Sequence, residues 1–421
     1  LTIRSAKYWK DVLLQTSGNG AAQLIGIAGI PILARLYGPE SFAIQSIFVQ
    51  MVILLAALIT FRYEYFIPLL NDEYEYRSLS AWILNCGVLL STLFTLAFAA
   101  LHFVGVWGYW GLPESLLYIL APLSALMVSL ALMCQFEVQR RGDFKISALA
   151  EVVSKFFYVA GGVTLSQLSS GIGLVLTTAF GAVGKIIFLK RVFWIGVNSD
   201  LPSSRSLLRR FGTRSVGMVF SNTLLAIGGA IPLYFLGAVY DANSLGQFAL
   251  VITTIFLPTG VIGTAAGNVF YQRAAQLWNE QESAAISSLW RTTVVKLAAL
   301  AIPIFVILYI ISPWIYPLIF GDEWSLAGRL AQAMTLAAFF SFMAAPLDRL
   351  SLIINRGFYL PSIHGLRFLA VLGYFAIAER QSVESLVLGY SLVMAVVYLL
   401  DIVLCRALMR WVCAKEDKVF R

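Results

Sequence analysis

The sequence predicts an all-α polytopic membrane protein of twelve transmembrane helices, on three observations. Of its 421 residues, 59% are hydrophobic and 12% charged, where a soluble globular chain carries about 25% charged residues. Mean hydropathy is +0.82. The apolar residues come in long unbroken runs, such as SLLYILAPLSALMVSLALMC and LAALAIPIFVILYIISPWIY. These match the roughly 20 residues a helix needs to cross the hydrocarbon, whereas a barrel would show strands of about ten residues of alternating polarity.

Twelve such runs follow one another, at 15–37, 42–62, 81–104, 115–136, 147–167, 171–193, 215–238, 246–270, 292–315, 327–348, 359–378 and 386–408. The first is full length and follows a basic amphipathic stretch, RSAKYWKDVLLQ, which argues against a cleavable signal peptide. The intervals between runs are short, so no soluble domain is expected within the chain. Pro31, Pro232, Pro258 and Pro303 fall within runs and are expected to bend them. Gly263 and Gly267 form a GxxxG in the eighth, which reads as close helix packing.

Charge sets the expected orientation. Of 30 basic residues, 23 lie in segments on the side of the N-terminus, among them Arg77, Arg140, Arg141, Arg205, Arg209, Arg210 and Arg214. The opposite loops carry Arg380 and are otherwise short and acidic (LYGPES, DANSLG, FGDEW, ERQSVES). The positive-inside rule places both termini in the cytoplasm. The net charge of +8 is then explained by topology and anionic lipid, and no nucleic-acid partner is expected. Cys86, Cys134, Cys405 and Cys413 are scattered, as are His102 and His364, and offer no four-ligand metal cluster.

At an offset of 203 residues, Asn19 lies over Asn222, Tyr37 over Tyr240 and Ser41 over Ser244. Six runs per half make this a parallel repeat: an N-terminal bundle at 1–198, a cytoplasmic linker at 199–214 and a C-terminal bundle at 215–421. Such a repeat points to a transporter.

Ionisable groups inside the runs are costly, about 2.5–3.5 kcal/mol each at a helix centre, and mark partners or a watery path. Glu151, Ser154, Lys155, Tyr158 and Gly162 recur at helical spacing as one polar stripe. Lys155 sits about 13 Å into its run at 1.5 Å per residue, and Glu151 precedes it by one turn, the favourable order for an ion pair. His364, Arg367 and Tyr374 share a face of the eleventh run, while Lys185 and Lys296 lie shallower. Cations at this depth suit an anionic substrate, Arg367 through its planar fork and Lys155 as a point charge. Pairing and snorkelling are the structural alternatives. Asn19 and Asn222 offer hydrogen bonds to sugar or phosphate, or glue between helices. Glu64, Glu151, Asp348 and Asp401 are the acids an ion-coupled exporter would use.

The strings LARLYGPESFAIQSIF and FRYEYFIPLL, then QRRGDFKISALAEVVSKF, GQFALVITTIFLPTGVIGTAAGNVFYQ and FGDEWSLAG, resemble bacterial polysaccharide biosynthesis proteins of the Wzx type. That family lies in the multidrug/oligosaccharidyl-lipid/polysaccharide exporter superfamily. The resemblance implies two pseudo-symmetric six-helix bundles of the MOP/MATE kind in the bacterial inner membrane. It also implies an undecaprenyl-pyrophosphate-linked oligosaccharide as substrate, flipped to the periplasmic leaflet by alternating access, with a polysaccharide polymerase and a chain-length regulator as further partners. It lifts Arg35 and Arg62, both at span ends, to candidate substrate contacts. No cofactor is expected; the driving force would be the membrane potential, or coupling to protons or sodium. A cation-coupled multidrug exporter is the alternative within the superfamily. An O-antigen polymerase or ligase, the enzyme alternative, would need a substantial outer loop.

Overall fold

The computed structural model describes residues 2–70, 72–104, 119–167, 171–190, 205–280, 283–347, 359–379 and 381–419. Among these, every regular element is helical. Helix α1 (Thr2–Ile59) is followed by a 3-10 segment (Tyr63–Leu69). Then come α2 (Glu73–Phe103), α3 (Ala121–Arg140), α4 (Phe144–Thr164), α5 (Ile172–Phe188), α6 (Arg205–Val239) and α7 (Ala242–Ile255). Beyond them lie α8 (Thr264–Asn279), α9 (Ser283–Phe320), α10 (Ser325–Ala344), α11 (Tyr359–Ile377) and α12 (Val383–Val419).

Nine of the described helices are long and apolar enough to cross a membrane, and two shorter apolar helices accompany them. The first of the nine, Gly20–Ile59, holds two of the predicted spans. The chain turns at Gly38, whose φ of 67° and ψ of 174° are open essentially to glycine alone. Pro39 then restarts the helix, a position where its missing N–H costs nothing. Counting that helix twice gives the twelve spans of an all-α, multi-pass membrane protein. The break at Gly38 is the turn expected between the runs at 15–37 and 42–62, and Pro31 lies within the helical stretch before it.

The eighth span is also interrupted. Pro258 immediately precedes a π-helical turn at Thr259–Gly263 that separates α7 from α8. A Cβ on Gly263 would meet Thr259 at 3.6 Å and Ala345 at 3.9 Å, ordinary contacts. Gly263 serves the turn, so the expectation of close GxxxG packing is not met at this residue.

The chain forms two compact units, Leu1–Gly246 and Gln247–Arg421. In the first, close packing comes from glycines elsewhere. A Cβ on Gly29 would overlap Val159, and one on Gly162 would overlap Leu33, so α1 and α4 meet nearly backbone to backbone. Gly181 and Gly184 do the same for α5, against Ser154 and Phe157 of α4. Without a hydrophobic drive between helices in lipid, small residues of this kind allow the van der Waals contact that holds a bundle together. In the second unit, α10 is the buried centre, with Met334, Ala337, Ala338 and Phe342 at 0% exposure. Phe305 of α9 packs edge-on against Phe339 and Phe342. Gly328 lets α10 approach the Ser312 carbonyl of α9. Apolar side chains such as Leu96, Phe220, Trp314 and Leu318 are exposed on outer faces, as lipid contact requires.

Gly38→Ala should cost about 1–3 kcal/mol, the usual penalty for such a backbone conformation, and lower the melting temperature in detergent. Gly20→Ala, where nothing lies within 4 Å of the added carbon, should leave it unchanged.

Candidate functional site

The polar stripe of α4 is the centre of the first unit. Ser154 donates to the Gly181 carbonyl of α5 at 3.0 Å. Tyr37 of α1 donates to the Gly162 carbonyl at 2.6 Å. Gln45 of α1 donates to the Tyr158 hydroxyl at 2.6 Å and to the Leu174 carbonyl at 3.3 Å. Three helices are thereby fixed in register around one polar face.

Glu151 does not pair with Lys155, its neighbour one turn on. Its partner is Lys185 of α5, at 2.8 Å. Lys185 is 5% exposed and also donates to Gln135 of α3. A carboxylate, an ammonium and an amide thus neutralise one another across three helices. Lys155 is left over. It is exposed, its ammonium lies over the Tyr158 ring at 5.6 Å, and its stem passes Gly26 of α1. Among the described residues, no carboxylate lies within ion-pair distance of it.

Three further sequence candidates fall in this unit. Arg35 is exposed on α1. Arg62 and Glu64 sit where α1 ends and are buried, at 6% and 0% exposure. Phe61 and Arg62 both take left-handed backbone, with φ of 50° and 59°, uncommon for residues with a side chain. One Arg62 nitrogen lies 3.6 Å from Glu64, and another reaches the Asn222 side-chain carbonyl of α6 at 3.5 Å. Asn222 in turn donates to the Met218 carbonyl at 2.8 Å. The side chain of Asn19 lies outside the described residues.

In the second unit, Arg367 is held by Asp401 of α12 at 2.9 Å and lies over the Tyr398 ring at 4.6 Å. The Tyr359 hydroxyl donates to the same carboxylate at 2.7 Å. Tyr374 turns to the Leu386 carbonyl, and His364 is half-buried on α11. Lys296 is exposed on α9. Asp348 lies outside the described residues. Among those described, no three His, Cys, Asp or Glu side chains are placed to hold a metal ion.

Reading the sequence did not find the partners. Gln135, Tyr359 and Tyr398 each come from a helix remote in sequence from the charge they serve, and Gln45 from one remote from Tyr158. A second cluster was missed too: Glu137 of α3, fully buried, takes Arg140 at 2.6 Å and Arg141 at 2.5 Å. Arg140 also reaches Glu73 of α2 at 2.6 Å, tying the ends of α2 and α3. The signal present in sequence was an acid, Glu137, at the end of the apolar run 115–136 and one helical turn before two arginines.

The pairing of Glu151 with Lys185 gives a stability expectation. Glu151→Gln leaves a buried ammonium without its counter-charge, a loss of about 3 kcal/mol. It should lower the melting temperature in detergent well below that of Lys155→Met, which removes an unpaired group.

The whole chain shares its architecture with solved transporters. A lipid II flippase, MurJ, in an inward closed conformation superposes with a TM-score of 0.72 at 12% identity, over 93% of this chain and 87% of that one. An inward-facing multidrug resistance transporter of the MATE family, in the MOP superfamily, gives a TM-score of 0.70 at 12% identity, over 94% of each chain. A MOP superfamily transporter from Pyrococcus furiosus, whose binding pocket is described as of reverse polarity, gives 0.60 at 11% identity, over 96% of each. At such identities the likeness is one of fold. No curated protein matches the sequence. A family model described as polysaccharide biosynthesis protein matches residues 32–328, well over half of the length, and the chain belongs to that family.

Proposed function

We propose that this protein is a flippase for lipid-linked oligosaccharide, carrying undecaprenyl-pyrophosphate-linked repeat units from the cytoplasmic to the periplasmic leaflet by alternating access. The observation that carries the reading is Lys155. It is an ammonium on the polar face of a membrane-spanning helix, without a carboxylate partner among the described residues, although Glu151 stands one turn away. A group so costly to place in hydrocarbon marks an intramembrane polar path, and an unneutralised positive charge there suits an anionic passenger. A lipid diphosphate carries about two negative charges, and its desolvation is offset by cations and donors along its path.

The other cations fall into grades of availability. Lys185 is occupied by Glu151 and Gln135 and holds the stripe in place. Arg367 is presented to Asp401, an acid that a phosphate can replace as partner, and its planar fork matches phosphate oxygens. Arg35 and Lys296 are exposed and add positive charge on α1 and α9. Tyr158, Asn222, Asn19 and His364 offer hydrogen bonds to phosphate or sugar.

Membership of a polysaccharide biosynthesis family supports the reading, as does a fold shared with a lipid II flippase. The fold is equally that of multidrug transporters, but a cationic drug would be repelled by an unpaired Lys155. We place the protein in the bacterial inner membrane with both termini cytoplasmic, on the distribution of arginine and lysine. The six-plus-six division of the spans, with a linker at 199–214, belongs to the same proposal. So does a downstream polymerase with its chain-length regulator.

Lys155→Ala combined with Arg367→Ala should abolish surface polysaccharide while the protein still inserts and folds. An impermeant probe on spheroplasts should then find the labelled lipid-linked unit trapped in the inner leaflet. Normal surface polysaccharide in the double mutant would refute the assignment. Outward movement of two negative charges gains about 2.3 kcal/mol per charge for each 100 mV of potential, negative inside. Collapsing the potential in vesicles should therefore slow flipping severalfold.

A further inference from the structure

The first turns of α6 carry Arg205, Arg209, Arg210 and Arg214, all of them exposed. The opposite face fixes their direction. Leu207, Phe211 and Ser215, at helical spacing, are buried. Phe211 stacks on Phe66 of the 3-10 segment, with ring centroids 4.7 Å apart. Tyr63 donates its hydroxyl hydrogen to the Leu208 carbonyl at 3.1 Å, and Ser215 donates to the Phe61 carbonyl at 2.5 Å. The start of α6 is thus clamped to the turn after α1, and its arginines are held outward. No acidic residue stands in the first turn of this helix, where the helix dipole is itself positive and disfavours cations. Glu75 of α2 takes Arg210 at 3.5 Å, an exposed pair of the weakly held kind.

The arginine face continues into the apolar part of the same helix. At 3.6 residues per turn, Arg209, Thr213, Val216, Phe220 and Ile227 fall along one side of α6. Thr213 is exposed, as are Val216, Phe220 and Ile227, at 66%, 59% and 38%. Gly217 leaves a notch beside them, since nothing lies within 4 Å of a Cβ placed there. From Val216 to Ile227 the line is about 16 Å long at 1.5 Å per residue. The hydrocarbon of one leaflet is about 15 Å deep, half of the whole. An apolar line of one leaflet's depth, ending at a hydroxyl and a cluster of guanidinium groups, has the outline of a single phospholipid.

We propose that this side of α6 binds an anionic diacyl phospholipid, its phosphate held by Arg209, Arg210 and Thr213 and one acyl chain laid along Val216, Phe220 and Ile227. The planar fork of arginine matches phosphate oxygens, and the Thr213 hydroxyl adds a donor one turn beyond Arg209. The headgroup must be anionic overall. Phosphatidylethanolamine carries the same phosphate, but its ammonium would be pressed against four arginines and the positive end of a helix. Phosphatidylglycerol has no such charge. An acidic protein segment would satisfy the arginines and leave the apolar line below them bare, whereas a lipid covers both. The inference does not rest on the flippase reading, because the lipid is a resident of the bilayer and not the passenger.

The test is native mass spectrometry of the full-length protein in nonionic detergent, titrated with phosphatidylglycerol and, separately, with phosphatidylethanolamine of the same acyl chains. Wild type should hold phosphatidylglycerol the more tightly. An arginine beside an anionic headgroup is worth about fivefold in affinity, so Arg209→Gln should weaken phosphatidylglycerol by about that factor. Adding Arg210→Gln should weaken it by a similar factor again, with phosphatidylethanolamine little changed in either variant. Arg209→Lys, which keeps the charge, should keep most of the preference and guards against a folding defect in the amide variants. Lys145→Gln removes an exposed cation of α4 and should change nothing. Equal affinity for the two lipids in wild type would overturn the proposal. So would a loss with Lys145→Gln as large as with Arg209→Gln, which would reduce the effect to diffuse surface charge. Release of phosphatidylglycerol by an equal concentration of farnesyl diphosphate would overturn it in favour of a prenyl diphosphate, and a dimer replacing the lipid-bound monomer in favour of a second copy of the chain.

Discussion

The arrangement of this protein follows from the cost of holding charge in hydrocarbon. Each ionised group in a span must be neutralised, hydrated or removed, because the membrane interior offers it no water. Glu151 meets that demand through Lys185 and Gln135, which come from two other helices and so commit α3, α4 and α5 to one arrangement. Asp401 meets it through Arg367 and Tyr359, committing α11 to α12. The same rule that holds the helices together makes the exception informative: among the described residues, no carboxylate lies within ion-pair distance of Lys155.

Glycine makes these pairings geometrically possible. The polar face of α4 can engage both α1 and α5 because Gly29, Gly162, Gly181 and Gly184 remove the side chains that would hold the helices apart. Backbone carbonyls then become acceptors for Tyr37 and Ser154, and Gln45 can span the gap to Tyr158. Small-residue packing and polar pairing are therefore one device. The glycines set the distance, and the hydrogen bonds set the rotation of α4 that presents Lys155.

Most of the fold was legible in the sequence because hydropathy reports directly on the solvent each residue occupies. The spans and the stripe on α4 follow from periods of 20 and 3.6 residues, both local properties. The division at Gly38 was legible too, in the LYGPES turn between the runs at 15–37 and 42–62. Partners were the illegible part. Glu151 had an acceptable cation one turn away and another 34 positions on, and local helix rules favour the first. The choice between them was made by the approach of α5 to α4 through Gly181 and Gly184, a tertiary fact that no window of sequence contains. The same holds for Arg367, whose partner Asp401 lies 34 positions away.

Lys185, Arg367 and Lys155 differ in what an anion would have to displace at each. At Lys185 it would have to break a buried pair whose loss leaves Glu151 charged and unmatched, so this lysine is the structural member of the set. At Arg367 the carboxylate to be displaced keeps the Tyr359 hydroxyl, which lowers the cost of letting the guanidinium go. At Lys155 nothing has to be displaced except the face of the Tyr158 ring, a weak competitor worth about 0.5–2 kcal/mol. Under the proposed reading, an anion in the first unit would meet Lys155 before Lys185, because Lys155 has the least to lose.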